Sequence, residues 1–210
     1  MLIQKFHPGL RPGPQLVGAG SGSPLFSRQG HWDGGGALHC VAMALALLGR
    51  LADPVDIRRR DTGPEASFWD RAWPHYLHGL ALSELASFVW ELDLGVRPVT
   101  AREGPATVLR FCERELARKR PVILAWRSHA PQPHATLIIG VEGRQRKRAF
   151  TPHALLLLDP AEAEPGLAAC NARMEFEGER RSYVTTTATY PVAIEGAVSI
   201  RPLVNATADA

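Results

Sequence analysis

Cys40-Val41-Ala42-Met43-Ala44-Leu45-Ala46-Leu47-Leu48-Gly49 is the stretch on which the fold turns. Alanine, leucine and methionine are strong helix formers, and the run closes on glycine, a usual helix stop. Gly34-Gly35-Gly36 lies just upstream and resists helix, so the helix is predicted to start at or near Cys40. A thiol at a helix N-terminus feels the positive end of the helix dipole, which favours thiolate. Such a cysteine is a candidate nucleophile if a histidine and an orienting acid or amide can reach it. His134-Ala135-Thr136-Leu137-Ile138-Ile139-Gly140 offers the first, and Leu155-Leu156-Leu157-Leu158-Asp159-Pro160 the second.

Working outward, 121–126, 135–141 and 154–159 are short apolar runs bounded by turn residues. They read as strands of one sheet, with the charged segment Glu142 to Arg148 as a hairpin connection. That hairpin sets His134, which opens one strand, beside Asp159, which closes its antiparallel neighbour. Before it, 81–95 has Leu82, Leu85, Phe88, Val89 and Leu92 at helical spacing, with Ser83 as N-cap and Gly95 as stop. A strand is predicted over 96–100 and a helix over 105–118, its Cys112 a packed hydrophobe. The aromatics Phe68, Trp69, Trp73 and Tyr76 read as core or groove lining. Further strands are predicted over 183–190 and 192–204. Helices first and a mostly antiparallel sheet afterwards give an α+β class. The expected organisation is a loop-rich extension over 1–36, one domain over 37–204 and a frayed tail over 205–210.

The 210 residues are 45% hydrophobic and 21% charged with a net charge of +3, an ordinary globular composition. Arg58 to Arg60, Arg118 to Arg120 and Arg144 to Arg148 are scattered and lack interleaved aromatics, which argues against a nucleic-acid partner. The glycines of 18–24 lack the Lys-Ser or Lys-Thr of a phosphate loop. Cys40, Cys112 and Cys170 are widely spaced without C-x-x-C, so neither a zinc site nor a disulfide framework is implied, and free thiols fit a reducing compartment. No apolar run approaches the roughly 20 residues of a membrane span, and the N-terminus lacks a signal core. A cytoplasmic location is expected, with no cofactor.

The run from Cys40 to Gly49 resembles the nucleophile helix of papain-like cysteine peptidases that process double-glycine leader peptides. The likeness continues, in order, through 82–95, Arg120 to Leu124, His134 to Gly140, and the Leu-Leu-Leu-Asp-Pro ending at Pro160. The resemblance implies a papain-like fold whose nucleophile helix packs on the sheet. It also implies Cys40 as nucleophile, His134 as general base and acid, and Asp159 as the orienting residue. Two positions depart from the family pattern. It carries Asp before the cysteine and Gly after it, where this chain has His39 and Val41. Its oxyanion glutamine lies about half a dozen residues before the cysteine, where this chain has Gly34. The nearest glutamine, Gln29, is eleven positions upstream and reaches the site only if the glycines form an extra loop.

Other residues have plainer readings. His129 is a rival base in a loop, and His39 points away from its neighbour Cys40 on a helix. Asp33 and Trp32 read as loop packing, and Cys170 as incidental. Two functions follow. One is a thiol peptidase or acyl transferase acting on a peptide or isopeptide bond through an acyl-enzyme on Cys40, as a leader peptidase or an effector-type protease. The other is a catalytically silent papain-like module that holds a peptide or protein partner. A separately encoded transporter is an implied partner of the first.

Overall fold

The computed structural model describes residues 1–31, 33–128, 133–178 and 180–203, with Glu177 described by its backbone alone. The expectations for Trp32, His129, Val204 and the tail over 205–210 lie outside the described residues. The architecture is α+β, as the sequence predicts: four α-helices and a nine-stranded, mostly antiparallel sheet. The strands are β1 (Leu2–Phe6), β2 (Leu10–Arg11), β3 (Val17–Gly18), β4 (Val96–Ala101), β5 (Val122–Arg127), β6 (His134–Arg146), β7 (Ala149–Leu158), β8 (Ala172–Glu177), β9 (Arg180–Thr185), β10 (Thr189–Pro191) and β11 (Ala193–Pro202). The helices are α1 (Gly36–Leu47), α2 (Gly63–Ala72), α3 (Leu82–Glu91) and α4 (Pro105–Ala117). The sheet order is β10-β9-β8-β7-β6-β5-β11-β4, and β1 pairs with the second half of β6, past the end of β5. A separate ribbon joins β2 and β3.

Alternation along the strands divides the core between two faces. Ile123, Leu137, Ile139 and Leu158 pack with α1, α2 and α3 on one face. Val122, Leu124, Ile138, Leu155 and Leu157 pack with α4 on the other. Buried on both faces, β5, β6 and β7 read as continuous apolar runs rather than alternating ones. α4 is fastened by Glu115, whose buried carboxylate accepts from Arg201 Nε at 2.8 Å and Nη2 at 2.9 Å, and from Ser199 Oγ at 2.9 Å. No described helix is long and apolar enough to cross a membrane.

Three expectations are corrected. The segment 1–36 is more than a loop-rich extension, because β1 extends the sheet and Leu16, Leu25 and Phe26 are buried in the core. The side chains of β1 are mostly exposed, so the strand is held by backbone bonds and leaves no apolar pattern to read. α3 begins at Leu82 with Ala81 at the cap position, where Glu84 Oε2 accepts the Ala81 N–H at 2.7 Å; Ser83 lies inside the helix. Glu142 is not in a hairpin loop: β6 runs on to Arg146, and Glu142 is buried against Arg173, Gln4 and His153.

Candidate active site

β6 opens at His134 and β7 ends at Leu158, so the hairpin brings His134 and Asp159 together as the sequence predicts. His134 Nε2 meets Asp159 Oδ2 at 2.6 Å. Asp159 is 1% exposed and its carboxylate is well served: Tyr183 donates its hydroxyl to Oδ2, and the Ala161 N–H bonds Oδ1 at 2.9 Å. Asn171 brackets the backbone of Asp159, accepting its N–H at 2.8 Å and donating to its carbonyl at 2.9 Å. Burial and the neighbouring Asp159 charge push the Tyr183 hydroxyl up, so it stays a donor. Trp126 lies against the His134 ring, centroids 4.8 Å apart, and limits its solvent contact. With Nε2 committed to Asp159, Nδ1 is left without a partner among the described residues.

Gln29 also reaches this place. Its N–H donates to the Pro160 carbonyl at 2.8 Å, which ties the loop before α1 to the end of β7. Gln29, Gly36, Ala37, Trp126 and His134 line one cavity of about 500 Å³, together with the apolar Leu80, Leu82 and Leu85. Gln29 Nε2 donates to the Asp33 carbonyl, and Gln29 Oε1 lies 2.9 Å from where a Cβ on Gly36 would stand.

The start of α1 is where the structure departs most from the sequence reading. The helix begins at Gly36, so Cys40 is its fifth residue, a full turn inside. Gly36 opens the helix and Gly35 caps it, and the surroundings of both leave little room for a side chain. A Cβ on Gly35 would stand 2.7 Å from Asp33 Oδ1 and 2.9 Å from the Tyr76 ring. Cys40 is fully buried and absent from the cavity wall, and its thiol faces the Ala135 carbonyl at 3.6 Å. Ala135 packs toward α1, whereas His134 pairs across the sheet with Trp126, which belongs to the opposite core. The thiol is thus held against a main-chain carbonyl of β6 rather than lining the cavity with His134. Burial, reinforced by the Asp159 charge, drives the Cys40 thiol well above its ordinary value, the reverse of an activated cysteine. The position at the helix start, facing the cavity with Gln29 seven residues before it, belongs to Gly36.

His39 has a role that its sequence neighbourhood concealed. Its Nε2 meets Asp33 Oδ2 at 2.7 Å and its Nδ1 meets Ser27 Oγ at 2.8 Å. Asp33 Oδ1 in turn accepts the Gly35 N–H at 2.6 Å. These are Ser, His and Asp in hydrogen-bonded order, but Ser27 and His39 are both buried, so the set clamps the Gln29 loop to α1. Replacing His39 by Ala is expected to cost about 1–3 kcal/mol, the penalty for stranding buried polar groups. Thermal unfolding measures it. Burial works to raise the Asp33 carboxyl, but the bonds from His39 and Gly35 outweigh it and hold the group below its usual 3.8. The clamp's contribution is therefore whole above about that pH and lost as pH falls further.

Cys112 is buried in the α4 core as expected. Tyr183 and Asn171, which hold Asp159, lie on or beside strands distant in sequence, and no local pattern marks them. No protein-family model matches the chain, and no curated protein matches it.

Proposed function

We propose that this chain is a catalytically silent papain-like module whose cavity holds a peptide or protein segment. The observation that carries this reading is the place of the thiol. Cys40 is sealed in the core one turn inside α1, and glycine occupies the helix-start position that lines the same cavity as His134. A general base with no nucleophile beside it cannot form an acyl-enzyme. What remains suits binding: a cavity of about 500 Å³ lies within the usual range for ligand sites, and both apolar residues and polar groups line it.

The rival reading, a thiol peptidase acting through Cys40, draws support from the His134–Asp159 pair, which is built as a base and its orienting acid. Under the silent reading this pair is kept as a polar wall of the binding site. The two are separated by incubating the protein with a pool of internally quenched peptides, then measuring peptide capture by fluorescence polarisation. Capture without cleavage, unaltered in Cys40→Ser, is expected. Cleavage that Cys40→Ser abolishes would restore the peptidase. A peptide segment on its way to a separately encoded transporter is one occupant that fits.

A further inference from the structure

Resting on the reading of this cavity as a binding site without a nucleophile, we infer that it takes the C-terminal carboxylate of a peptide, seated between the start of α1 and His134. In a working thiol enzyme this space holds an anion twice over, as thiolate beside imidazolium and as oxyanion beside N–H donors. Here the donors remain and the resident anion is missing. The N–H groups of Gly36 and Ala37, the first two of a twelve-residue helix, find no acceptor among the described residues. Both residues line the cavity, and a carboxylate is the natural partner of such a helix start.

Three side chains lining the same cavity point to the same ligand. His134 turns one ring nitrogen to Asp159, and its Nδ1 has no partner among the described residues; protonated, it is a donor and a positive charge. Trp126, 5% exposed, lines the cavity, and its buried indole N–H has no hydrogen-bond partner among the described residues. Gln29 has a second amide hydrogen beyond the one given to Asp33. The one carboxylate among the described lining residues, Glu84, is engaged by the Ala81 N–H. The wall near the helix start is glycine and alanine, which fits a small last residue. Leu80, Leu82 and Leu85 fit an apolar residue before it.

The probe is N-acetyl-leucyl-alanine as free acid, compared with its C-terminal amide and with acetate, titrated into the isotope-labelled full chain and followed by amide chemical shifts. The acid is expected to move the Gly36 and Ala37 resonances and the Trp126 indole resonance at least tenfold more tightly than the amide or acetate does. His134→Gln, which keeps about the size of the side chain and removes the imidazole, should weaken the acid about tenfold and leave the amide unchanged. Gly36→Ala should weaken the acid as well, because its Cβ enters the space beside Gln29. Equal shifts from acid and amide would overturn the carboxylate site while leaving a peptide cavity in place. Acetate matching the acid would overturn the peptide terminus as its source. Silence of all three probes at these resonances would also overturn the inference, whereas failure of the binding-module reading would appear separately, as cleavage of the quenched peptides.

Discussion

Gly36→Cys is expected to create the reactive thiol that the wild-type chain lacks. The new side chain would enter the cavity at the start of α1, 2.9 Å from the flexible end of Gln29 at its Cβ, so a small shift of that amide makes room. It would share the cavity with His134, whose Nδ1 is unpartnered among the described residues, and it would sit where the helix dipole is most positive. Both influences lower a thiol pKa, and each unit of lowering below about 8.5 raises the thiolate fraction near neutral pH by up to about tenfold. Alkylation by iodoacetamide at pH 7, read by peptide mass spectrometry, should run at least tenfold faster at position 36 than at Cys112. Adding His134→Ala should remove most of that gain. A rate at position 36 no greater than at Cys112 would mean that the helix start does not face the base.

Glu115→Ala is expected to have the largest effect on stability. Glu115 is fully buried and its carboxylate joins α4 to β11 through Arg201 and Ser199, with Arg120 Nη1 at 3.3 Å. Removing one partner of a buried ionic network leaves the others unpaired, a loss of about 3–5 kcal/mol. That is a large share of the roughly 5–15 kcal/mol by which domains are stable. Denaturant unfolding should show the midpoint falling with little change in slope, and Glu115→Gln should fall less. Burial pushes the Glu115 carboxyl up, but the bonds from Arg201, Ser199 and Arg120 prevail and hold it below its usual 4.5. The folded state thus binds this proton less readily than the unfolded chain. The network's contribution is complete above about pH 4.5 and drains away as the pH falls toward the folded-state value. The wild type should lose stability over that acid range more steeply than Glu115→Gln.

The meeting of His134 and Asp159 was legible because a hairpin is a local device: one strand's start lies beside its neighbour's end whatever surrounds them. α1, α3 and α4 were legible from apolar spacing, and β5, β6 and β7 from their unbroken apolar runs. The start of α1 was not. Glycine propensity argues against helix at Gly36, and only the tertiary crowding by Asp33, Tyr76 and Gln29 explains why glycines stand there. Cys40, the sole cysteine near the helix start, drew the nucleophile role that its burial then argues against. Gln29 is eleven residues from Cys40 but seven from Gly36, a spacing visible only once the helix start is known. Tyr183, Asn171 and the Ser27–His39–Asp33 clamp depend on contacts across the fold, and β1 on backbone pairing alone; none of these leaves a periodic signature.

The alkylation rate of Cys40 in the native wild-type protein tests the central claim most directly. Mass spectrometry after brief iodoacetamide treatment at pH 7 gives its rate beside that of Cys112, a thiol buried in the α4 core and pushed up by burial. The expected result is that both react slowly and at similar rates, unaffected by His134→Ala, because each waits on opening of the core. Cys40 reacting at least tenfold faster than Cys112, and slowing in His134→Ala, would place a working thiol in the cavity and contradict a silent site.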